Sequence, residues 1–123
     1  MKVTGLDHVQ LAMPPGGEEK ARAFYVRLLG LPELPKPPEL AARGGAWFQC
    51  GPLQLHLGIE QEFRPAKKAH PALRVERLEE LLSILRSAGC EVADDTSVPE
   101  IRRAFTADPF GNRIELVAAE SAL

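Results

Sequence analysis

Asp108-Pro109-Phe110-Gly111-Asn112, running into Arg113-Ile114-Glu115-Leu116-Val117, decides how this chain is read. The first five residues are turn formers: Asp and Asn bond nearby backbone, Pro presets φ, and Gly accepts positive φ. In the next five, Ile114 and Leu116 take one face of a strand while Arg113 and Glu115 take the other. The stretch therefore predicts a tight turn feeding a half-buried strand with a carboxylate on its polar face. A strand near residues 103–106 leads into the turn.

Upstream, residues 78–88 read as a helix with Leu81, Leu82 and Leu85 on one face and Gly89 as its stop. Before it, His70-Pro71-Ala72-Leu73-Arg74-Val75 alternates like a strand. The same order occurs earlier in the chain. Leu6-Asp7-His8-Val9-Gln10-Leu11-Ala12-Met13 alternates, and Pro14-Pro15-Gly16-Gly17 breaks it. Residues 18–29 then place Ala21, Phe24, Leu28 and Leu29 at helical spacing, with Glu18 and Glu19 where the helix dipole favours anions and Gly30 as the stop. Strands near Ala46–Cys50 and Leu53–Ile59 follow, joined across Gly51-Pro52.

Strand, helix and strands thus occur twice. Asp7-His8-Val9 corresponds to Ala69-His70-Pro71, Ala46-Trp47-Phe48 to Arg103-Ala104-Phe105, and Leu55-His56-Leu57 to Ile114-Glu115-Leu116. The expected organisation is one domain over residues 1–123, with a first module at about 4–60 and a second at about 69–118. The proline-rich residues 32–38 cannot continue a helix and resist a central strand, so a stiff surface loop is expected there. Residues 60–69 read as a solvated connector.

Composition narrows the function classes. The chain has 123 residues, 45% hydrophobic and 26% charged, with 15 Lys plus Arg against 17 Asp plus Glu. A net charge of −2 leaves no electrostatic footprint for nucleic acid. No apolar run is long enough to span a membrane. Met1-Lys2-Val3-Thr4-Gly5 lacks the apolar core of a secretory signal, so a cytoplasmic location is expected. Cys50 and Cys90 are then two reduced thiols rather than a disulfide framework.

The chain holds three histidines, His8, His56 and His70, each in an expected strand at a repeat-equivalent position. The fourth equivalent position holds Glu115. A lone histidine in a strand is more often structural than a ligand, and a lone glutamate is usually solvated. Four such residues at corresponding points of a repeat, on one inferred face, form a complete N/O donor set for Zn, Mn, Fe, Co or Ni. Gln10, Gln54, Arg74 and Arg113 share that polar face as candidate substrate contacts.

With these residues in place, the chain resembles the vicinal oxygen chelate superfamily, the glyoxalase, bleomycin-resistance and extradiol-dioxygenase group. Asp108 to Glu115 matches that family's closing hairpin and last metal ligand, and Leu6-Asp7-His8-Val9 its opening strand. Phe24-Tyr25 with Leu28-Leu29-Gly30-Leu31 matches the first helix and its stop, and His70-Pro71-Ala72-Leu73 the start of the second module. The resemblance covers residues 6–117. It implies an α+β fold of two tandem βαβββ modules, whose mixed sheets curl into a cup with helices outside. It also implies a divalent metal held by His8, His56, His70 and Glu115, a homodimer, and a small-molecule substrate chelated through adjacent oxygens. In isomerase-like members the residue at the position of Glu115 also moves a proton, which makes Glu115 the candidate catalytic residue.

The chain departs from the best-known subgroups. Glyoxalase I-like enzymes usually carry glutamate, and related epimerases glutamine, where His56 stands. Fosfomycin-modifying members resemble a three-ligand site of His8, His70 and Glu115, with His56 left to face substrate. Ring-cleaving dioxygenases need a further catalytic histidine, and none is left over. Bleomycin-binding members are metal-free drug-sequestering cups that typically lack the ligands, whereas all four positions are filled here. The expectation is a metal-dependent isomerase- or lyase-type enzyme, or one catalysing addition; Arg74 and Arg113 favour an anionic substrate. A sequestering protein without catalysis is the alternative.

Overall fold

Eight strands among the described residues fall into two four-stranded mixed sheets, an α+β architecture. The protein is described by a computed structural model covering residues 1–121. It divides into two compact units, Met1–Arg64 and Pro65–Leu123. No helix among the described residues is long and apolar enough to cross a membrane.

In the first unit, β1 (His8–Met13), β2 (Glu33–Leu34), β3 (Ala46–Cys50) and β4 (Leu53–Ile59) stand in the order β1-β4-β3-β2. In the second, β5 (Ala72–Val75), β6 (Val92–Asp95), β7 (Arg103–Ala107) and β8 (Arg113–Ala118) stand in the order β5-β8-β7-β6. The opening strand of each unit lies parallel to its closing strand, and the other neighbours are antiparallel. The duplicated pattern is therefore a duplicated topology.

Alternation sorts each sheet into a core face and a polar face. In the first unit Leu11, Met13, Ala46, Phe48, Leu55 and Leu57 are buried together with Ala21, Phe24 and Tyr25. The helix expected over 18–29 is a short α-helix, α1 (Glu18–Ala21), that continues as a π-helix over Arg22–Leu28. The wider turn, marked by Leu29 N–H donating to the Phe24 carbonyl, rotates the inward face. Tyr25 is buried, stacking on Phe48 at 5.3 Å, while Leu28 and Leu29 are only half-buried.

The proline-rich stretch departs from a plain loop. It carries the two-residue β2 and one turn of helix, α2 (Pro38–Ala41). The expectation that it could not be a central strand holds, because β2 is an edge strand, where missing N–H donors matter least.

In the second unit, α3 (Leu78–Ser87) packs against β6 and β8. Leu78, Leu82 and Leu85 are its buried residues, and the expected Leu81 is half-buried. Gly89 ends it at φ +86°, its N–H donating to the Arg86 carbonyl, as a left-handed stop requires. β6 gave no signal in Val92-Ala93-Asp94-Asp95, because an exposed edge strand has no apolar face to alternate. His70 lies two residues ahead of β5 rather than within a strand. Pro71 cannot donate to the ladder, although its carbonyl accepts the Glu115 N–H at 3.0 Å.

One correspondence inside the repeat shifts by a residue. Trp47 pairs with His56 across β3–β4, and Phe105 pairs with Glu115 across β7–β8. Trp47 is thus the counterpart of Phe105, not of Ala104. A slip of one residue exchanges the two faces of a strand, so the correction moves Arg103 and Phe105 onto the polar face beside Glu115.

The start of α1 is tied to the loop ahead of β3 by one carboxylate. Glu18 Oε2 accepts the Gly45 N–H at 2.9 Å. Gly45 holds φ +84°, and a Cβ there would lie 2.2 Å from the Leu57 carbonyl oxygen, so only glycine fits. The Gly45 N–H is the main reason the Glu18 carboxyl lies below its ordinary 4.5, with Arg22 and Lys36 adding to it. A carboxylate with a depressed folded pKa stabilises above its unfolded value and loses that contribution as pH falls through the folded one. The stability difference between wild type and Glu18→Gln, measured by urea unfolding, should therefore be largest near neutrality and shrink below about pH 4.5. A constant difference down to pH 3 would show that the Gly45 contact contributes nothing to folding.

Candidate functional site

In the first unit the polar face is centred on β4. Register places Gln10 on one side of His56 and Trp47 on the other. The His56 ring, only 4% exposed, lies parallel to Trp47 at 4.1 Å and to His8 at 4.2 Å. His56 Nε2–H donates to Gln54 Oε1 at 2.9 Å, and His8 Nδ1–H donates to Asp7 Oδ1 at 2.8 Å. Burial pushes the His56 imidazole below its ordinary value, helped by the nearby His8, while Asp7 opposes the shift. Gln10 lies across Gly58, where a Cβ would stand 2.5 Å from its Nε2.

In the second unit the polar face is centred on β8. Glu115 is 5% exposed and faces Ala72 on β5 and Phe105 on β7. Its Oε1 lies 2.9 Å from His70 Nε2, and its Oε2 accepts Arg103 Nη1 at 3.2 Å. His70 Nδ1 lies 2.9 Å from the Lys68 carbonyl. A carbonyl only accepts, so Nδ1 carries the proton and Nε2 is the nitrogen turned to Glu115. The His70 ring also meets the edge of Phe105 at 5.3 Å, and the Arg113 guanidinium lies 3.9 Å over the Phe105 ring.

The turn ahead of β8 holds this arrangement in place. Asp108 Oδ1 accepts the N–H groups of Phe110 and Asn112, and Asp108 Oδ2 accepts Asn112 Nδ2, each at 2.9 Å. Asn112 Oδ1 accepts the Ala66 N–H at 2.9 Å, and the Ala66 carbonyl accepts the Arg113 N–H. Both side chains are buried, so each lost partner would cost about 1–3 kcal/mol.

The expected residues thus form pairs. His8 meets His56, and His70 meets Glu115; Gln10 and Gln54 flank the first pair, and Arg113 stands one strand step from Glu115. Arg74 is exposed, with its Nη1 donating to the Ser121 carbonyl at 3.3 Å. No group of three or more His, Cys, Asp or Glu able to hold an ion forms among the described residues. Cys50 and Cys90 are free and half-buried, and burial raises both thiols, which makes them poor nucleophiles.

His8, His70 and Glu115 are each of a donor type that a divalent transition metal accepts. Each of the two histidines has its Nδ1 engaged by an acceptor, which leaves Nε2 as the ligating atom, the usual outer arrangement of a metal histidine. Glu115 adds a buried carboxylate oxygen that already faces one of them. His56 differs. Its ring is within 16° of parallel to His8, and lone pairs lie in ring planes, so in this stacked arrangement the two rings do not point at one ion.

Sequence reasoning did not place Arg103 and Phe105 beside Glu115. The signal was present in the alternation of Arg103-Ala104-Phe105-Thr106, where buried Ala104 and Thr106 mark the core face. The one-residue slip in the repeat alignment concealed it.

The profile of the Glyoxalase/Bleomycin resistance protein/Dioxygenase superfamily matches residues 5–116. A structure from Bacillus anthracis assigned to the glyoxalase family is 50% identical, over 96% of this chain and 97% of that one, with a TM-score of 0.91. Lactoylglutathione lyase from Agrobacterium tumefaciens is 16% identical over 96% of each chain, with a TM-score of 0.75. A mutant of the fosfomycin resistance protein FosX from Listeria monocytogenes, complexed with Mn(II) and dihydroxypropylphosphonic acid, is 18% identical over 95% of this chain and 93% of that one, with a TM-score of 0.80. At those identities the last two are similar in fold alone. No curated protein matches the chain.

Trp47 is the sole tryptophan, so its emission reports on the ring stacked against it. A protonated imidazole quenches indole fluorescence. In chelator-treated protein the emission should fall on acidification with a midpoint below 6.5, the ordinary histidine value. His56→Phe should abolish that step; its persistence in the variant would assign the quenching to another group.

Proposed function

Because the chain belongs to the glyoxalase/bleomycin resistance protein/dioxygenase superfamily, we propose that it is a metal-dependent enzyme acting on a small, oxygenated, anionic substrate. The reaction class is proton transfer of the isomerase or lyase type, or addition. The observation that carries this reading is the His70–Glu115 pair. A buried carboxylate oxygen lies 2.9 Å from the imidazole Nε2, and the other ring nitrogen is held by the Lys68 carbonyl. A cation taking the place of the proton between them would receive one imidazole nitrogen and one carboxylate oxygen.

Of the four ligands expected from the repeat, we assign His8, His70 and Glu115 to the metal. His56 then faces the substrate, which its stacked ring and its hydrogen bond to Gln54 favour. A bound divalent ion supplies Lewis-acid polarisation of a chelated oxygen. The side chains do the rest. Arg113 is half-buried and stacked on Phe105, with its N–H groups available to a substrate carboxylate or phosphonate. Gln10 and Gln54 offer amide donors and acceptors on the other polar face. Glu115, besides ligating, takes the substrate proton at a carboxylate oxygen and returns it. The Mn(II) and phosphonate bound by FosX support a divalent metal and an anionic substrate in this fold. The reading carries with it a cytoplasmic location and, from the family resemblance, a homodimer.

Elemental analysis of protein purified without chelator should find one transition-metal ion per chain. His8→Ala and His70→Ala should lose it, and His56→Ala should keep it. Absence of metal in wild type after incubation with Mn, Ni, Co and Zn would overturn the enzyme reading in favour of a sequestering protein. Loss in His56→Ala equal to that in His70→Ala would return His56 to the ligand set. Arg113→Ala should weaken inhibition by small phosphonates and dicarboxylates roughly ten- to a hundredfold, the worth of a charge-assisted hydrogen bond. Unchanged inhibition would remove Arg113 from the substrate site.

A further inference from the structure

We propose that Arg103 is a positioning residue that occupies one oxygen of Glu115, so that only the other is open to a cation shared with His70. The inference rests on the metal reading above and concerns a residue that reading does not use. Arg103 Nη1 donates to Glu115 Oε2 at 3.2 Å, while Oε1 faces His70 Nε2. On its other side Arg103 Nη2 meets Asp95 Oδ2 at 3.1 Å and donates to Ser97 Oγ at 3.3 Å. Asp95 is itself held, because its Oδ1 accepts both the Ser97 N–H and the Ser97 hydroxyl. A planar guanidinium can bridge two carboxylates in this fixed way, and an ammonium cannot.

Two further observations argue that Arg103 serves Glu115 rather than its own stability. Its Nε is buried and has no hydrogen-bond partner among the described residues, an arrangement that calls for a reason. The duplicated topology also supplies a comparison within the molecule. Register makes Gly45 the counterpart of Arg103, since Ala46 pairs with Leu57 in one unit and Ala104 with Leu116 in the other. The unit whose last strand carries a carboxylate has an arginine at this place. The unit whose last strand carries an imidazole has no side chain there.

Co(II) titration of metal-stripped protein, followed by calorimetry and by visible absorption, tests this without turnover. Arg103→Met and Arg103→Lys should both weaken Co(II) binding by about 10- to 100-fold. Both should change the intensity of the Co(II) bands, because the Glu115 carboxylate would no longer be held in one orientation. If Arg103→Met does not fold, Asp95→Asn with Ser97→Ala loosens the same guanidinium from its far side. That variant should show the same spectral change with a smaller loss of affinity. Wild-type affinity and spectrum in the variants overturn the proposal while leaving the metal reading intact. Full recovery by Arg103→Lys also overturns it, by showing that charge alone suffices. A wild-type protein that takes up no Co(II) brings down the metal reading and this inference together.

Discussion

Everything at the candidate site depends on one constraint, the parallel pairing of the first strand of each unit with its last. Side chains alternate along a strand, so this register decides which residues share a face. Gln10 is brought beside His56, and Ala72 beside Glu115. Two residues earlier in each opening segment stands a histidine, His8 or His70. The same register turns Leu11, Leu55 and Leu57 in one unit, and Ile114 and Leu116 in the other, into the core. Burying each of these leucines or isoleucines contributes about 1.5–3 kcal/mol, so a slip that exposed them would be far costlier than any loss among the polar residues.

That energetic asymmetry explains how a carboxylate comes to be buried on β8. An isolated buried charge is expensive, and the packed face opposite gives Glu115 no route to solvent by slippage. It is compensated locally, by His70 at one oxygen and Arg103 at the other. Removing one partner of such a group costs more than the pair contributes, because the remaining charge stays buried. The Asp108–Asn112 turn adds the geometric half, fixing where β8 starts through buried hydrogen bonds to Ala66.

The two units use one topology for different chemistry. His56 is sandwiched between Trp47 and His8, and burial disfavours its charged form. Glu115, at the equivalent place, is surrounded by charge, with Phe105 in place of Trp47 and Arg113 in place of Gln54. A parallel aromatic stack suits a buried imidazole. An arginine at one oxygen and an imidazole at the other suit a buried carboxylate. The asymmetry follows from neighbours exchanged around an unchanged backbone.

Alternation and turn chemistry were local enough to be read from the sequence. His8, Gln10, His56, Gln54, Glu115 and Arg113 were assigned to polar faces correctly, because period-two patterning needs no partner strand. The duplicated order of elements and the glycine stops at Gly30 and Gly89 were legible for the same reason. Tertiary structure alone decided three things. It placed β6 and β2, edge strands whose pairing is made by backbone hydrogen bonds that leave no apolar signature. It turned the first helix into a π-helix, which brought Tyr25 inward in place of Leu28. And it set the register of β7 against β8, which carried Arg103 to Glu115. Register is an agreement between two distant segments, and no single segment of sequence contains it.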